Sequence, residues 1–269
     1  MKLESLKQIL ASLKSVLLAY SGGVDSTFLL KVAKDVLGDN VLAVTATSVI
    51  YPSHETDDAR AMAKQFSVRH LLIPNNALSN SKFTENSPER CYWCKKELFQ
   101  KLKSLAKEYG LKHVIDGTNH DDTGDFRPGM RATGELGVRS PLLEAGLTKD
   151  EIRSFSKSFG LPTWVKPTYA CLASRFPYGT RITEDNLKKV GKAEEFLREY
   201  GITQLRVRHH DKTARIELLK DDIAKLLDDK VRQEVLSFFK KLGYAYVTLD
   251  LEGYRSGSMN EVLNNIHKP

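Results

Sequence analysis

The sequence predicts an α/β protein, a Rossmann-like parallel sheet followed by a smaller α+β C-terminal domain. Three observations carry this. Short apolar runs alternate with amphipathic helical stretches between residues 15 and 119, the pattern of βαβ units. A segment of small and acidic residues, AYSGGVDST (19–27), stands at the first strand-to-helix turn. From about residue 183 the rhythm changes to helix–strand–strand–helix–strand.

The opening MKLESLKQILASLKSVLLAY breaks every apolar run with Lys, Ser or Gln, so it reads as an amphipathic helix leading into a strand at 15–20. The helix DSTFLLKVAKDVLG follows, then the strand NVLAVTAT (40–47), the helix SHETDDARAMAKQF and the strand VRHLLIP. A loop rich in Asn and Ser spans 75–88. A long helix runs from about Cys91 to Tyr109, and HVIDGTN (113–119) reads as the fourth strand. Beyond CLASRFPYGTR (171–181), rich in turn residues, come the helix TEDNLKKVGKAEEFLREYG and the hairpin TQLRVRHH–DKT–TARIELL, whose turn overlaps the second strand. One long helix, DDIAKLLDDKVRQEVLSFFKKLG, and the strand YAYVTLDL complete the reading. The expected domains are 1–180 and 181–269.

The chain has 269 residues, 41% hydrophobic and 28% charged, enough for a real core. No window is long and apolar enough to span a bilayer, and no secretory signal is present, so the expected location is the cytoplasm. Thiols stay reduced there, which argues against a structural disulfide and for metal or redox chemistry at CYWC. The net charge of +7 points to anionic company, whether nucleotides, a phosphorylated small molecule or RNA, and a solvated Lys-rich surface explains much of it. No Lys/Arg tract of the RNA-binding kind occurs, which weighs against a nucleic-acid partner.

In the turn after the first strand, Gly22 and Gly23 permit close backbone approach to an anion. The helix N-terminus behind them adds free N–H groups and dipole. Ser21 and Ser26 add hydroxyls, and Asp25 is a candidate ligand for Mg²⁺. Neither the Walker spacing nor G-x-G-x-x-G is present.

Cys91 and Cys94 stand one helical turn apart, and the third cysteine is Cys171. Positions 91, 94 and 98 share one helix face, which fits core packing as well as metal ligation. A zinc site would need a fourth ligand, which His120 could offer, though nothing in the sequence places it there.

SGGVDS resembles the signature of the PP-loop ATP pyrophosphatases. ERCYWCKKELF, DGTNHDDTGDFRPGMRA, SPLLEAGLTKDEIR and CLASRFPYGTRIT narrow the resemblance to the LarE-type ATP-dependent sulfur transferases, and with the glycine loop these stretches are spread over residues 19–183. The resemblance implies that ATP is cleaved between its α and β phosphates and that Ser21, Gly22, Gly23, Asp25 and Ser26 hold the departing pyrophosphate. Ser48 and Gly117 would flank the adenosine. It further implies that a carboxylate of pyridinium-3,5-biscarboxylic acid mononucleotide is adenylated and becomes a thiocarboxylate, in the making of a nickel-pincer nucleotide. Cys171 occupies the position of the sulfur donor in the sacrificial members. The trio Cys91, Cys94 and Cys171 resembles the branch with a 4Fe–4S cluster, in which sulfide from another source is delivered. The cluster takes precedence over the sacrificial route, and packing comes third. Arg175 is placed to stabilise a thiolate or a phosphate.

Arg206 and Arg208 fall on one face of a strand. Periodicity alone favours a solvent-facing edge, whereas the resemblance favours a clamp on the substrate phosphate and a homo-oligomer. Glu217 can pair with either arginine across the hairpin. Asp125 and Arg127 are candidates for Mg²⁺ or substrate contact, with Asx turns as the alternative. Trp93 and Trp164 are candidates for a pocket wall or for packing, and the pair His209–His210 carries no readable role. The competing functions are tRNA thiolation, an ATP-sensing regulatory protein, and amidation of the GMP- or NAD-synthetase type.

Overall fold

The computed structural model describes residues 1–124, 128–167, 170–255 and 257–264. The chain divides into two compact units, Met1–Phe83 with Pro88–Tyr169, and Thr84–Ser87 with Ala170–Pro269.

The first unit opens with α1 (Lys2–Leu13), whose Leu6, Leu10 and Leu13 fall on one face and are buried. Then follow β1 (Val16–Ala19), α2 (Val24–Leu37), β2 (Val41–Thr47), α3 (Ser53–Gln65) and β3 (Arg69–Pro74). Next come α4 (Ser81–Thr84), α5 (Arg90–Glu108), β4 (His113–Ile115), α6 (Pro128–Glu135), α7 (Pro141–Glu144) and α8 (Lys149–Ser158). Among the described residues the sheet has four strands in the order β3-β2-β1-β4, all parallel. Strand alternation sends Val16, Leu18, Val41 and Ala43 into a core with residues of α1, α2 and α8. Leu17, Leu42 and Val44 face the other way, against Phe99, Leu102 and Ala106 of α5. A parallel sheet needs both faces covered in this way.

The strand order reverses at β1, because α2 leads to β2 on one side while β4 pairs on the other. Loops leaving β1 and β4 therefore part over a crevice at the carboxyl ends of the strands. β4 is shorter than the sequence indicated. Asp116 ends it by accepting from the amide of Thr118 (3.2 Å), the Thr118 hydroxyl (2.8 Å) and the Ser140 hydroxyl (2.7 Å), so DGTN is a buttressed loop.

The second unit contains α9 (Glu184–Arg198), β5 (Leu205–His210), β6 (Thr213–Leu218), α10 (Lys220–Leu227), α11 (Asp229–Lys241), β7 (Tyr246–Leu249) and α12 (Glu261–Asn264). β5 and β6 form an antiparallel hairpin, and β7 pairs parallel to β6. Leu197, Leu205, Val207, Ile216 and Phe239 centre its core.

Two further details differ from expectation. The long helix expected over 221–243 is broken at Asp228, whose extended backbone (ψ 131°) stops α10. Its carboxylate then accepts from the amides of Lys230 (3.0 Å) and Val231 (3.1 Å), capping α11. Thr84–Ser87 joins the second unit because buried Asn86 donates to the carbonyls of Phe176 (3.3 Å), Pro177 (2.7 Å) and Thr180 (2.9 Å). The segment from Phe176 to Thr180, directly after the turn carrying Cys171 and Arg175, is thereby pinned within that unit.

Candidate functional site

The glycine loop between β1 and α2 lies at the crevice of the first unit. Gly22 has φ +75°, and a Cβ there would stand 2.9 Å from the Cβ of Ala59 on α3, so only glycine fits. Gly23 precedes α2 without a side-chain cap, which leaves first-turn amides for a ligand or water. The hydroxyls of Ser21 and Ser26 lie 3.0 Å apart, and Ser26 also donates to the carbonyl of Gly23 (3.3 Å). Gly117 comes in from the β4 loop. A Cβ there would sit 3.1 Å from the Ser26 nitrogen, crowding the helix terminus. The loops that the sequence paired thus meet, and the close approaches at Gly22 and Gly117 leave no room for a side chain.

Asp25, in the first turn of α2, is held from two sides. Asn119 donates to one carboxylate oxygen (3.3 Å) and the Lys149 ammonium grips the other. Lys166 donates to the carbonyl of Gly22 (3.3 Å) and pairs with Glu55 (3.0 Å) and Asp58 (2.9 Å). Burial opposes the charge on Lys166, but the hydrogen bond to Asp58 and the charge of Glu55 outweigh it and its pKa rises. Ser48 lies half-buried in the bend after β2, its carbonyl accepting from Tyr51 (3.1 Å).

Asn119, Lys149 and Lys166 were not singled out in the sequence. A signal for Lys149 existed, since a cation in the first turn of α8 runs against the helix dipole. The arrangement suits a magnesium-bound triphosphate, with amides and hydroxyls for phosphate oxygens and Asp25 as the carboxylate for the metal.

Cys91 and Cys94 lie on the first turns of α5, Cys91 exposed and Cys94 half-buried. None of the three cysteines is in a disulfide. Asn75 donates to the Cys94 sulfur (3.8 Å). Trp93 between them is half-buried under the Lys82 ammonium, 3.8 Å from the ring centre, and Trp164 carries Lys157 at 4.6 Å. Two thiols one turn apart can both ligate a cluster, so this pair fits part of such a site. Among the described residues no three His, Cys, Asp or Glu side chains gather as a metal site, and His120 is exposed. Asp125 and Arg127 lie outside the described residues.

In the second unit, Cys171 is half-buried at the start of a 3-10 turn, Leu172–Arg175. Arg175 is 0% exposed and its donors are committed. Nε and Nη2 hold Glu194 (2.7 and 2.9 Å), while Nη1 reaches the carbonyls of Ala170 (3.0 Å) and Cys171 (3.3 Å) and the Ser174 hydroxyl (2.8 Å). Burial works against both charges of the pair, but mutual attraction prevails: Arg175 is raised and Glu194 lowered.

Arg206 and Arg208 are each 4% exposed, so the solvent-facing edge expected from periodicity is not what forms. Arg208 grips Glu217 with two bonds (2.8 and 2.7 Å) and donates to the Ser174 carbonyl and the Ser258 hydroxyl (both 2.7 Å). Arg206 lies 5.0 Å from the ring centre of Tyr254, and burial with Arg175 nearby lowers its pKa to about 10. His209, which the sequence left unread, is also interior. It is buried against Phe176 and Tyr244, and burial, with Lys189 nearby, lowers its pKa to about 4.

Comparison with known proteins agrees with this architecture. Residues 3–104 match the NAD synthase family. An uncharacterized protein of Synechocystis sp. is 48% identical over 262 residues, 97% of this chain and 98% of that protein. Pyridinium-3,5-bisthiocarboxylic acid mononucleotide synthase of Lactiplantibacillus plantarum is 40% identical over 265 residues, 97% of this chain and 95% of that enzyme. An uncharacterized protein of Methanocaldococcus jannaschii is 33% identical over 243 residues, 90% of this chain and 92% of that protein. No helix among the described residues is long and apolar enough to cross a membrane.

Proposed function

We propose that this chain, which belongs to the LarE-type family of the PP-loop ATP pyrophosphatase superfamily, is an AMP-forming sulfur transferase acting on pyridinium-3,5-biscarboxylic acid mononucleotide. The observation that carries the reading is the uncapped terminus of α2, framed by Gly22, Gly117 and Asp25 at the sheet's switch point. A carboxylate oxygen of the substrate attacks the α-phosphorus of ATP, the α–β anhydride bond breaks, and pyrophosphate leaves into the glycine loop. A sulfur nucleophile then adds to the carbonyl carbon of the adenylate, and AMP departs with the former carboxylate oxygen. The same sequence on the second carboxylate gives the bisthiocarboxylate.

Ser21, Gly22, Gly23 and Ser26 hold phosphate oxygens through amides and hydroxyls, and Ser48 and Gly117 border the adenosine. Mg²⁺ held by Asp25 would neutralise charge on the phosphates. In the second unit Arg206 and Arg208 bind the phosphate of the substrate mononucleotide, and this unit also mediates homo-oligomer formation. The expected location is the cytoplasm, with sulfide or another small sulfur donor as co-substrate and no nucleic-acid partner.

For the sulfur we propose Cys91, Cys94 and Cys171 as three thiolate ligands of a 4Fe–4S cluster, which would supply an open iron for sulfide. The adjacent thiols of α5 support this. A second reading has its own support: Arg175 holds the carbonyls of Ala170 and Cys171, which fixes the backbone on both sides of the Cys171 side chain. In that reading Cys171 surrenders its sulfur and becomes dehydroalanine.

The test is incubation of the anaerobically reconstituted protein with substrate, Mg·ATP and sulfide. AMP, pyrophosphate and thiocarboxylate in step with one another support the transferase. ATP binding without turnover would favour a sensor, and salt-dependent copurified RNA would favour tRNA thiolation. Iron lost in each of Cys91→Ala, Cys94→Ala and Cys171→Ala supports the cluster. Absence of iron, with Cys171 short of one sulfur after turnover, supports the sacrificial route.

A further inference from the structure

Arg206 and Arg208 are each 4% exposed, which leaves little of either guanidinium for a ligand to touch. Arg208 gives Nε and Nη2 to Glu217 and Nη1 to the Ser174 carbonyl, and Arg206 gives Nη1 to the Leu205 carbonyl (2.7 Å). A phosphate bound beside this pair therefore needs further donors closer to the surface.

The segment after β7 supplies them. The Tyr254 amide donates to the Leu218 carbonyl at the end of β6 (2.7 Å), and Gly253 (φ +70°) makes the turn that brings it there. A Cβ on Gly253 would stand 2.6 Å from that carbonyl oxygen, so the approach requires glycine. Further on, the short turn Ser258–Asn260 is fastened by the Tyr178 hydroxyl, which donates to Asn260 (2.9 Å). Held in this way, the Tyr254 hydroxyl comes 3.5 Å from Nη2 of Arg206 and the Ser258 hydroxyl 2.7 Å from Nη2 of Arg208. Tyr254 and Ser258 are half-buried, more open than the arginines beneath them.

A guanidinium can only donate, so each hydroxyl accepts from its arginine and keeps its own proton to give. Among the described residues neither hydroxyl has an acceptor for that proton. An O–H that accepts from a cation is polarised and donates more strongly. The two hydroxyls thus carry the charge of the buried arginines outward as O–H donors, which suits an anion with several acceptor oxygens. We propose that Ser258 and Tyr254 are specificity-determining residues: their hydroxyls accept from Arg208 and Arg206 and donate to phosphate oxygens of the substrate mononucleotide. This rests on the reading that the second unit binds the substrate phosphate. The arginines then act on the phosphate through the two hydroxyls, and the nucleoside, which lacks those oxygens, is left without the contacts.

The test measures binding of pyridinium-3,5-biscarboxylic acid mononucleotide, and separately of its nucleoside, by calorimetry to the full chain and its Ser258→Ala, Ser258→Thr and Tyr254→Phe variants. Thermal melts accompany the titrations, and Tyr254→Phe keeps the ring beside Arg206. The expected result for Ser258→Ala is about tenfold loss of affinity for the mononucleotide, one hydrogen bond to a charged group. Tyr254→Phe loses affinity in the same direction, Ser258→Thr keeps most of it, and nucleoside binding stays unchanged. Unchanged or tighter binding of the mononucleotide by Ser258→Ala or by Tyr254→Phe would overturn the proposal, as would equal losses for mononucleotide and nucleoside. Equal binding of the two ligands by the unaltered chain would instead remove the phosphate reading of Arg206 and Arg208, and the proposal with it.

Discussion

Arg175 and Glu194 form a bidentate ion pair in the interior of the second unit, Nε to Oε1 at 2.7 Å and Nη2 to Oε2 at 2.9 Å, and the remaining nitrogen of Arg175 holds the carbonyls of Ala170 and Cys171. Glu194 also accepts from the amide of Val207 (3.0 Å), so the pair ties the cysteine turn to α9 and to β5. Burial of two charges is tolerated here because nearly every donor has an acceptor. Glu194→Gln leaves Arg175 buried without its counter-ion and is expected to cost about 3–5 kcal/mol. Leu at both positions should recover part of that loss without restoring the position of Cys171. Denaturant melts would show the recovery, while thiocarboxylate formation stays low in both variants.

Gly22 and Gly23 should respond differently to alanine. At Gly22 the positive φ and the 2.9 Å approach to Ala59 act together. About 1–2 kcal/mol arises from the left-handed backbone, and overpacking adds roughly 1–3 kcal/mol. At Gly23 the backbone is ordinary (φ −78°) and a Cβ would meet only the Ser21 hydroxyl at 3.4 Å. Gly23→Ala should therefore melt like the parent while weakening nucleotide binding, and Gly22→Ala should lose both. Melting curves alongside nucleotide titrations separate the two effects.

His209 predicts an acid sensitivity for the second unit. Its pKa falls from 6.5 to about 4 on folding, chiefly through burial and then through Lys189. A base whose folded pKa is depressed stays neutral in the folded chain while the unfolded chain takes up a proton. Its contribution is therefore complete above pH 6.5 and is lost as pH falls toward about 4. The loss amounts to ~3 kcal/mol over that window. His209→Asn should flatten this part of the curve of melting temperature against pH, whereas an unchanged slope would assign it to other groups.

Asp228→Ala removes the acceptor for two amides at the start of α11. About 1 kcal/mol of stability should go with it, and Asp228→Ser should keep most of it. Equilibrium unfolding in urea checks both.

The sheet of the first unit was legible because its strands are unbroken apolar runs and its glycine loop has few other uses. What escaped was set by contacts distant in sequence. DGTN looked like strand until Asp116 met Ser140. Asn86 looked like loop until its amide met three carbonyls some ninety residues on. Arg206 and Arg208 looked exposed because strand periodicity does not report burial, although Glu217, readable as a partner across the hairpin, is what lets Arg208 go inside. The helix break at Asp228 was missed because Asp-Asp within an amphipathic run reads as a polar face as readily as a cap. Lys149 and Lys166 were lost among many lysines, and only the fold brings them to the glycine loop.

The central claim is that a substrate carboxylate attacks ATP and its oxygen leaves with AMP. The most direct measurement supplies pyridinium-3,5-biscarboxylic acid mononucleotide labelled with oxygen-18 in both carboxylates, with Mg·ATP and a sulfur source, and reads the AMP by mass spectrometry. The account predicts one labelled oxygen in the AMP phosphate for each thiocarboxylate formed. AMP without label, or label found in pyrophosphate, would contradict it.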